Sequence, residues 1–254
     1  MMLRERATEP EHFDSPARTP AEIAAGYREL ARVNRLCRLD DPYTRVMSRW
    51  LGAKNCRELS ILDVGAGDGW LGGAMDQFAE RLDWKWRVTN LDLNSIPLQL
   101  NSSSRNVAGS VVALPFAVNS FDIVIASQMT HHLANDAEVI QHFREAHRVA
   151  RRAVFITDMQ RSVFLYAMLW IMLRILRLTP TMRADGLLSV KRSWTRRELI
   201  DLAARAGLSG ATVCSYFGTR WIVAARKTPA TAAANATSAA YLATDESYSA
   251  PLGK

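Results

Sequence analysis

Cysteine is scarce in this 254-residue sequence: Cys37, Cys56 and Cys214 are far apart and show no Cys-x-x-Cys spacing. That usage supports neither a disulfide framework nor a cysteine zinc site, and it suits a reducing cytoplasm. Lysine is also rare. The 32 basic residues are 27 Arg and 5 Lys, set against 25 acidic ones, and the net charge of +7 is scattered without a block of five or six like charges. No nucleic-acid partner is expected from such a distribution. The apolar run Val163 to Leu173 has 11 residues, about half of what a bilayer-spanning helix needs. Arg4, Glu5, Arg6 and Glu9 leave the start of the chain without the apolar core of a secretory leader. No internal repeat is visible.

What is present reads as a soluble α/β chain. Residues 1–19 are polar, with Pro10 and Pro16, and are expected to be a disordered N-terminus. A main domain is expected over 20–227, with N-terminal helices in 21–56 and a helical insert in 160–190. Residues 228–254, rich in Ala, Ser and Thr, read as a disordered tail. Ile23, Tyr27, Leu30, Val33, Leu36 and Leu39 recur at helical spacing, and Asp41-Pro42 resembles the cap and first turn of a second helix. Strands are expected at 86–93, 121–126 and 153–157 and a helix at 137–149. A helix over 196–206, capped by Thr195 and closed by Gly207, then precedes an antiparallel pair at 211–217 and 220–225. Alternation of this kind builds a doubly wound, mainly parallel sheet.

The most informative segment is Ser60-Ile-Leu-Asp-Val-Gly-Ala-Gly-Asp-Gly69. Ile61, Leu62 and Val64 read as a strand that ends in a turn whose glycines let a ligand lie against the backbone. Trp70 then opens a helix. Asp92 closes the next strand, where a carboxylate can accept hydrogen bonds from ribose hydroxyls. Gly67 to Gly72 also satisfies the G-x-G-x-x-G dinucleotide pattern, but its register is wrong, because the first glycine after the strand is Gly65.

The loop, with Asp63 two residues before Gly65, resembles motif I of the class I S-adenosylmethionine-dependent methyltransferases. Asp92-Leu93-Asn94, then Leu114-Pro115-Phe116 with Asn119 to Val124, then Met129-Thr-His-His-Leu133 resemble further motifs of that family in order, and the resemblance runs from about Leu59 to Lys227. It implies a Rossmann-like, doubly wound seven-stranded sheet with antiparallel C-terminal strands and a helical lid insert. S-adenosylmethionine is the implied cofactor, bound by Asp63, Gly65, Ala66, Gly67, Gly69, Asp92, Leu93, Ser110, Val111 and Gln128. Many relatives carry an acidic residue where Ser110 follows Gly109; a hydroxyl there can still accept a hydrogen bond.

On the acceptor side, His132 and secondly His131 are candidate general bases at the end of the fourth strand. A packing or loop-orienting role is the alternative for both. Asp158 either faces the acceptor or caps the following helix, and His142 and His147 read as surface residues beside Arg144, Glu145 and Arg148. Tyr27, Tyr43, Tyr166 and Trp194 either line the acceptor pocket or belong to the core. No acidic trio accompanies Asp122 and Asp158, so no metal is expected. The run 163–173 offers three readings: a lid over a lipophilic acceptor, peripheral membrane contact through 161–177 with arginines at lipid headgroups, or a homodimer surface.

The resemblance extends to bacterial methyltransferases of quinone and polyketide metabolism. It implies O-methylation of a small lipophilic phenol, quinol or enol by a cytoplasmic enzyme, either free or at the inner face of the membrane. C-methylation, a non-catalytic cofactor-binding protein docking a partner, and an NAD-dependent oxidoreductase are the alternatives. An RNA or protein methyltransferase is disfavoured, because Ser127-Gln128-Met129-Thr130 replaces the Asn-Pro-Pro-aromatic motif of base-amino enzymes.

Overall fold

A computed structural model describes residues 3–15, 17–101 and 105–227. In chain order the elements are α1 (Pro20–Leu36), α2 (Met47–Leu51), β1 (Glu58–Val64), α3 (Trp70–Glu80), β2 (Lys85–Asp92), α4 (Ser95–Leu98), β3 (Asn106–Ala108), β4 (Phe121–Ser127), α5 (Asp136–Val149), β5 (Ala150–Met159), α6 (Val163–Ile175), α7 (Pro180–Arg192), α8 (Arg196–Arg205), β6 (Thr212–Tyr216) and β7 (Arg220–Arg226). The seven strands lie in the order β3-β2-β1-β4-β5-β7-β6. The first five run parallel, and β7 is antiparallel to both of its neighbours.

The central strands are apolar throughout because helices cover both faces of the sheet. Alternation sends Leu62, Val64, Val124, Ala126, Val154 and Ile156 into one core with Phe143 of α5 and Leu199 and Leu202 of α8. Ile61, Ile123, Ile125 and Phe155 point the other way, to Met47, Trp50, Leu71 and Met75. Strand order reverses between β1 and β4, so the crevice at their carboxyl ends is where such a sheet takes its ligand.

The N-terminal part departs from expectation in two places. Asp41 is already helical, accepts no capping bond, and pairs instead with Arg38 and Arg45. Helix α1 ends at Leu36, residues 37–40 form a turn with Arg38 at φ 49°, and the second helical stretch does start at Asp41-Pro42, with a π-helical first turn, Pro42–Val46. The turn aims Tyr43 into the core, where its hydroxyl bonds the Ala126 carbonyl at 2.5 Å and Thr157 Oγ1 at 2.7 Å, tying the helices to the ends of β4 and β5. Tyr43 and Trp194 are thus core residues.

The first residues, expected to be disordered, are pinned over the sheet's carboxyl edge where they are described. Asp185 of α7 accepts from the backbone N–H groups of His12 and Phe13, and Ala7 N–H donates to Lys191 O. Arg6 donates to the carbonyls of Arg192, Ala134, His131 and Leu133 and stacks on Trp194. A sequence reading sees only a polar, proline-bearing stretch, whereas its partners lie more than 120 residues away. The expected tail, 228–254, falls outside the described residues.

Helices α6 and α7 build a separate apolar cluster of Leu165, Leu169, Leu173, Leu178, Met182 and Val190, against which Leu30 and Val33 of α1 pack. Only one face of the apolar run is covered. Val163, Phe164, Trp170, Ile171 and Ile175 are exposed, and Arg174 stacks on Trp170 at 3.7 Å. No helix among the described residues is long and apolar enough to cross a membrane.

Candidate active site

At the end of β1 the chain turns through Gly65, Gly67 and Gly69, all with positive φ (72°, 57° and 72°). The need for glycine is steric as well as conformational at all three. A Cβ on Gly65 would lie 2.2 Å from Met129 Cγ, one on Gly67 2.7 Å from Tyr27 Cε1, and one on Gly69 2.6 Å from Asn101 Nδ2. The loop is anchored from β2: Leu91 O accepts from the N–H groups of Gly65 and Ala66, and Asp92 Oδ2 accepts from Gly67 N–H at 2.8 Å. Asp92 Oδ1 accepts from Asn94 N–H. Burial raises the Asp92 pKa, tempered by those two backbone bonds. Leu93, next in sequence, is 75% exposed and presents an apolar surface beside this carboxylate.

Three polar side chains around the loop are buried without a hydrogen-bond partner among the described residues. They are the carboxylate of Asp63, the amide of Gln128 and the hydroxyl of Thr130. Unpartnered buried polar groups are costly and call for a ligand or a water. Burial, with the negative charge of Asp92 behind it, pushes the Asp63 pKa up to about 8. Gln128 has φ 53°, a left-handed conformation unusual for a non-glycine residue and of the kind found at functional turns. These groups fit the cofactor implied by the sequence: a glycine cradle against which a ligand can lie, a carboxylate for hydroxyls or an ammonium, and an amide and hydroxyl for a carboxylate. Ser110 and Val111 sit across from β2 in the turn after β3. The Ser110 hydroxyl accepts from Val112 N–H at 3.3 Å, which is a turn-forming bond.

The double histidine follows β4 in a short 3-10 turn, Thr130–His132. His131 is buried and held on both sides by Asp158, whose Oδ2 accepts from the His131 N–H at 2.7 Å and whose Oδ1 lies 2.6 Å from Nδ1. Asp158 is therefore not the helix cap; Ser162 caps α6. His132 is half-buried, stacked on His131 with ring centroids 4.4 Å apart, and its Nδ1 lies 3.0 Å from Asp14. Burial disfavours the charged imidazole of His132, but the hydrogen bond with Asp14 and the field of Glu11 outweigh it, so its pKa is raised. Burial also acts on Asp14, where the bond to His132 prevails and lowers the pKa. Arg192 donates to the carbonyls of both histidines and to Glu9 O, fixing the turn against the N-terminal segment.

Three residues here escaped the sequence reading: Glu11, Asp14 and Thr130. Nothing local marks the two acids as site residues. His142, expected at the surface, is fully buried on α5, and burial lowers its pKa to about 4. The helical recurrence of Val139, His142, Phe143, Ala146 and Val149 carried that signal. Asp122, considered as a metal ligand with Asp158, instead bonds Ser60 and Arg151. Tyr27, from α1, lies by the loop, and burial followed by the nearby charges of Asp92, Asp68 and Asp14 keeps its phenol protonated.

Residues 62–156 match the family of the methyltransferase domain. No curated protein matches the sequence. Among solved structures, the fold is similar to a SAM-dependent methyltransferase from Aquifex aeolicus, with TM-score 0.56, 17% identity, and 83% of this chain and 100% of that one covered. It is also similar to the plantazolicin methyltransferase BpumL, solved with a monoazolic desmethylPZN analog and SAH, at TM-score 0.61 and 11% identity over 82% and 90% of the two chains. A TehB-like SAM-dependent methyltransferase from Corynebacterium glutamicum gives 0.53 and 16% over 83% and 100%. Residues 62–156 thus carry a methyltransferase domain, and the chain has the fold of S-adenosylmethionine-dependent methyltransferases, which supports S-adenosylmethionine as the cofactor.

Proposed function

We propose that the protein transfers a methyl group to oxygen on a small lipophilic acceptor, a phenol, quinol or enol. The observation that carries this reading is the double histidine at the end of β4, with His131 held by Asp158 and His132 by Asp14. An oxygen nucleophile of this kind must lose a proton as it attacks, and an imidazole locked in one tautomer by a carboxylate is suited to accept it. His132, half-buried, is the first candidate for contact with the acceptor, and His131 is the second.

The cofactor, when bound, supplies an electrophilic methyl group on a sulfonium. The remaining work belongs to the chain. Asp92 holds the ribose hydroxyls, Leu93 and Val111 flank the base, and Ser110 serves its polar edge. Gly65, Ala66, Gly67 and Gly69 let the backbone approach. Asp63 takes the amino group of the methionine moiety, and Gln128 reaches its carboxylate. Orientation of donor and acceptor in one dry site supplies most of the rate. The exposed face of 161–177 is the proposed approach for a lipophilic acceptor, from an inner membrane surface or across a second copy, in a cytoplasmic setting.

The test begins with calorimetric titration of S-adenosylmethionine and S-adenosylhomocysteine, with NAD as a control. Saturable binding of the first two, followed by methyl transfer to lipophilic phenols or quinols, is the expected result. Binding without transfer to any oxygen acceptor would reject the acceptor assignment, and absence of binding would reject the donor site.

A further inference from the structure

Glu11, His131 and His132 are brought together from opposite ends of the chain, and one ligand atom from each lies within 4.8 Å of the others. Their surroundings are ordered in a way that simple packing does not require. Nδ1 of His131 is 2.6 Å from Asp158, and Nδ1 of His132 is 3.0 Å from Asp14. Each carboxylate fixes its imidazole in the tautomer that leaves Nε2 with a free lone pair. Nε2 of His131 lies 3.7 Å from Glu11 Oε1, whose carboxylate is itself oriented by a 2.8 Å bond from Ser189. Carboxylate–histidine pairs of this form are the usual outer support of metal-bound histidines.

We propose that Glu11, His131 and His132 form a binding site for a divalent transition-metal ion of the zinc class, with Asp158 and Asp14 as positioning residues. The donor set selects the ion. Two imidazoles and one carboxylate suit Zn²⁺, Co²⁺ or Fe²⁺, whereas Mg²⁺ and Ca²⁺ take oxygen ligands. With bonds of about 2.0–2.1 Å, neighbouring ligands of a tetrahedral zinc stand about 3.3–3.4 Å apart, so the His131–Glu11 edge needs little adjustment. His132, half-buried at the mouth of the cluster, supplies the remaining movement. Three protein ligands leave a fourth position open, the pattern of reactive rather than purely structural zinc sites. Glu11 explains the use of the N-terminal segment: Asp185, Arg192 and Arg6 hold in place a strand of chain that contributes one ligand and one supporting acid.

The sequence reading expected no metal because it sought acids near Asp122 and Asp158, and Glu11 lies 120 residues before His131. The inference does not depend on which acceptor is methylated, but it competes with the general-base role. An imidazole whose Nδ1 faces a carboxylate and whose Nε2 binds the ion has no lone pair for the acceptor's proton, so the histidines serve as bases only in the metal-free protein. Its test uses the full-length protein stripped with a chelator and without cofactor or acceptor. Zn²⁺ is titrated by calorimetry, Co²⁺ by its visible absorption, and Mg²⁺ as a control. One equivalent of Zn²⁺, a Co²⁺ spectrum of tetrahedral or five-coordinate type, and no response to Mg²⁺ are expected. Glu11→Gln and His132→Ala, checked for folding by circular dichroism, should each weaken Zn²⁺ at least tenfold, and Asp14→Asn about tenfold. Absence of stoichiometric binding, or unchanged affinity in both Glu11→Gln and His132→Ala, overturns the site. S-adenosylmethionine binding by the stripped protein is measured separately, so failure of the metal site and failure of the donor site are told apart.

Discussion

Asp63 provides the sharpest quantitative test, because its carboxylate is 1% exposed and has no hydrogen-bond partner among the described residues, and burial pushes its pKa from 3.8 up to about 8. Replacing it with Asn keeps the shape and removes the ionisation. Between about pH 4 and 8 the folded protein holds a proton on this group that the unfolded chain has released. This group's contribution to stability is therefore greatest in acid and declines as pH rises, at about 1.4 kcal/mol per unit. Asp63→Asn lacks that slope. Its advantage over wild type should grow by about 3 kcal/mol between pH 5 and 7, on the order of 5–10 °C in Tm for a domain of this size. Comparing the slope of the difference cancels the fixed cost of burying an amide. The assay is thermal or urea unfolding of both proteins, without ligand, at half-unit pH steps. The same assignment predicts that S-adenosylmethionine binding at pH 7 releases nearly one proton in the wild type, since an ammonium beside Asp63 ionises it, and none in Asp63→Asn. Calorimetry in two buffers of different ionisation enthalpy reads that number. A parallel pH dependence in the two proteins together with no proton release would refute the reasoning.

Gly67→Ala should weaken S-adenosylmethionine at least tenfold and lower stability by about 1–2 kcal/mol, because the new Cβ meets Tyr27 at 2.7 Å and φ is +57°; calorimetry and urea titration check both, and wild-type affinity would remove Gly67 from the cradle. His142 gives a slope of opposite sign to that of Asp63. Its pKa falls from 6.5 to about 4 on folding, so the stability it supports is present above pH 6.5 and is lost as pH falls toward 4. His142→Leu should flatten that acid loss by about 1.4 kcal/mol per unit, measured as urea midpoints at pH 7.5, 6 and 5.

The parts of the fold that were legible in sequence are those set by local chemistry. Ser60 to Gly69 combine strand and turn in one decapeptide, and Asp92 ends the paired strand, so both were visible without tertiary information. Thr195 with Glu198 forms the capping box that places α8. The misreadings share a cause. Asp41-Pro42 does open a second helix, but Asp41 pairs with Arg38 and Arg45 instead of capping it, and its first turn, which anchors Tyr43 in the core, is π-helical. The stretch before Thr19 looks solvated because its apolar content is low, but it is held by charged groups: Arg6 by four carbonyls, and the His12 and Phe13 amides by Asp185. Pairings of that range leave no periodic trace.

That distinction bears on how donor and acceptor sites are divided. Every proposed donor contact comes from the sheet's own strand ends, from Asp63 to Gln128, within the segment that matches the methyltransferase family. On the proposed acceptor side His131 and His132 also lie in that segment, but residues that support them are different in origin. Glu11 and Asp14 come from the first residues, and Ser189 and Arg192, which orient them and the histidine turn, come from α7. Both lie outside the matched region. An active site assembled this way can change acceptor by altering the N-terminal segment and α7 while the cofactor cradle stays fixed, because these two elements bond mainly to each other and to the backbone carbonyls of the His131–His132 turn. Specificity therefore belongs to contacts that the fold leaves free to vary. Deleting residues 1–14 should accordingly spare S-adenosylmethionine binding and abolish transfer; loss of both together would mean that the segment supports the cradle itself.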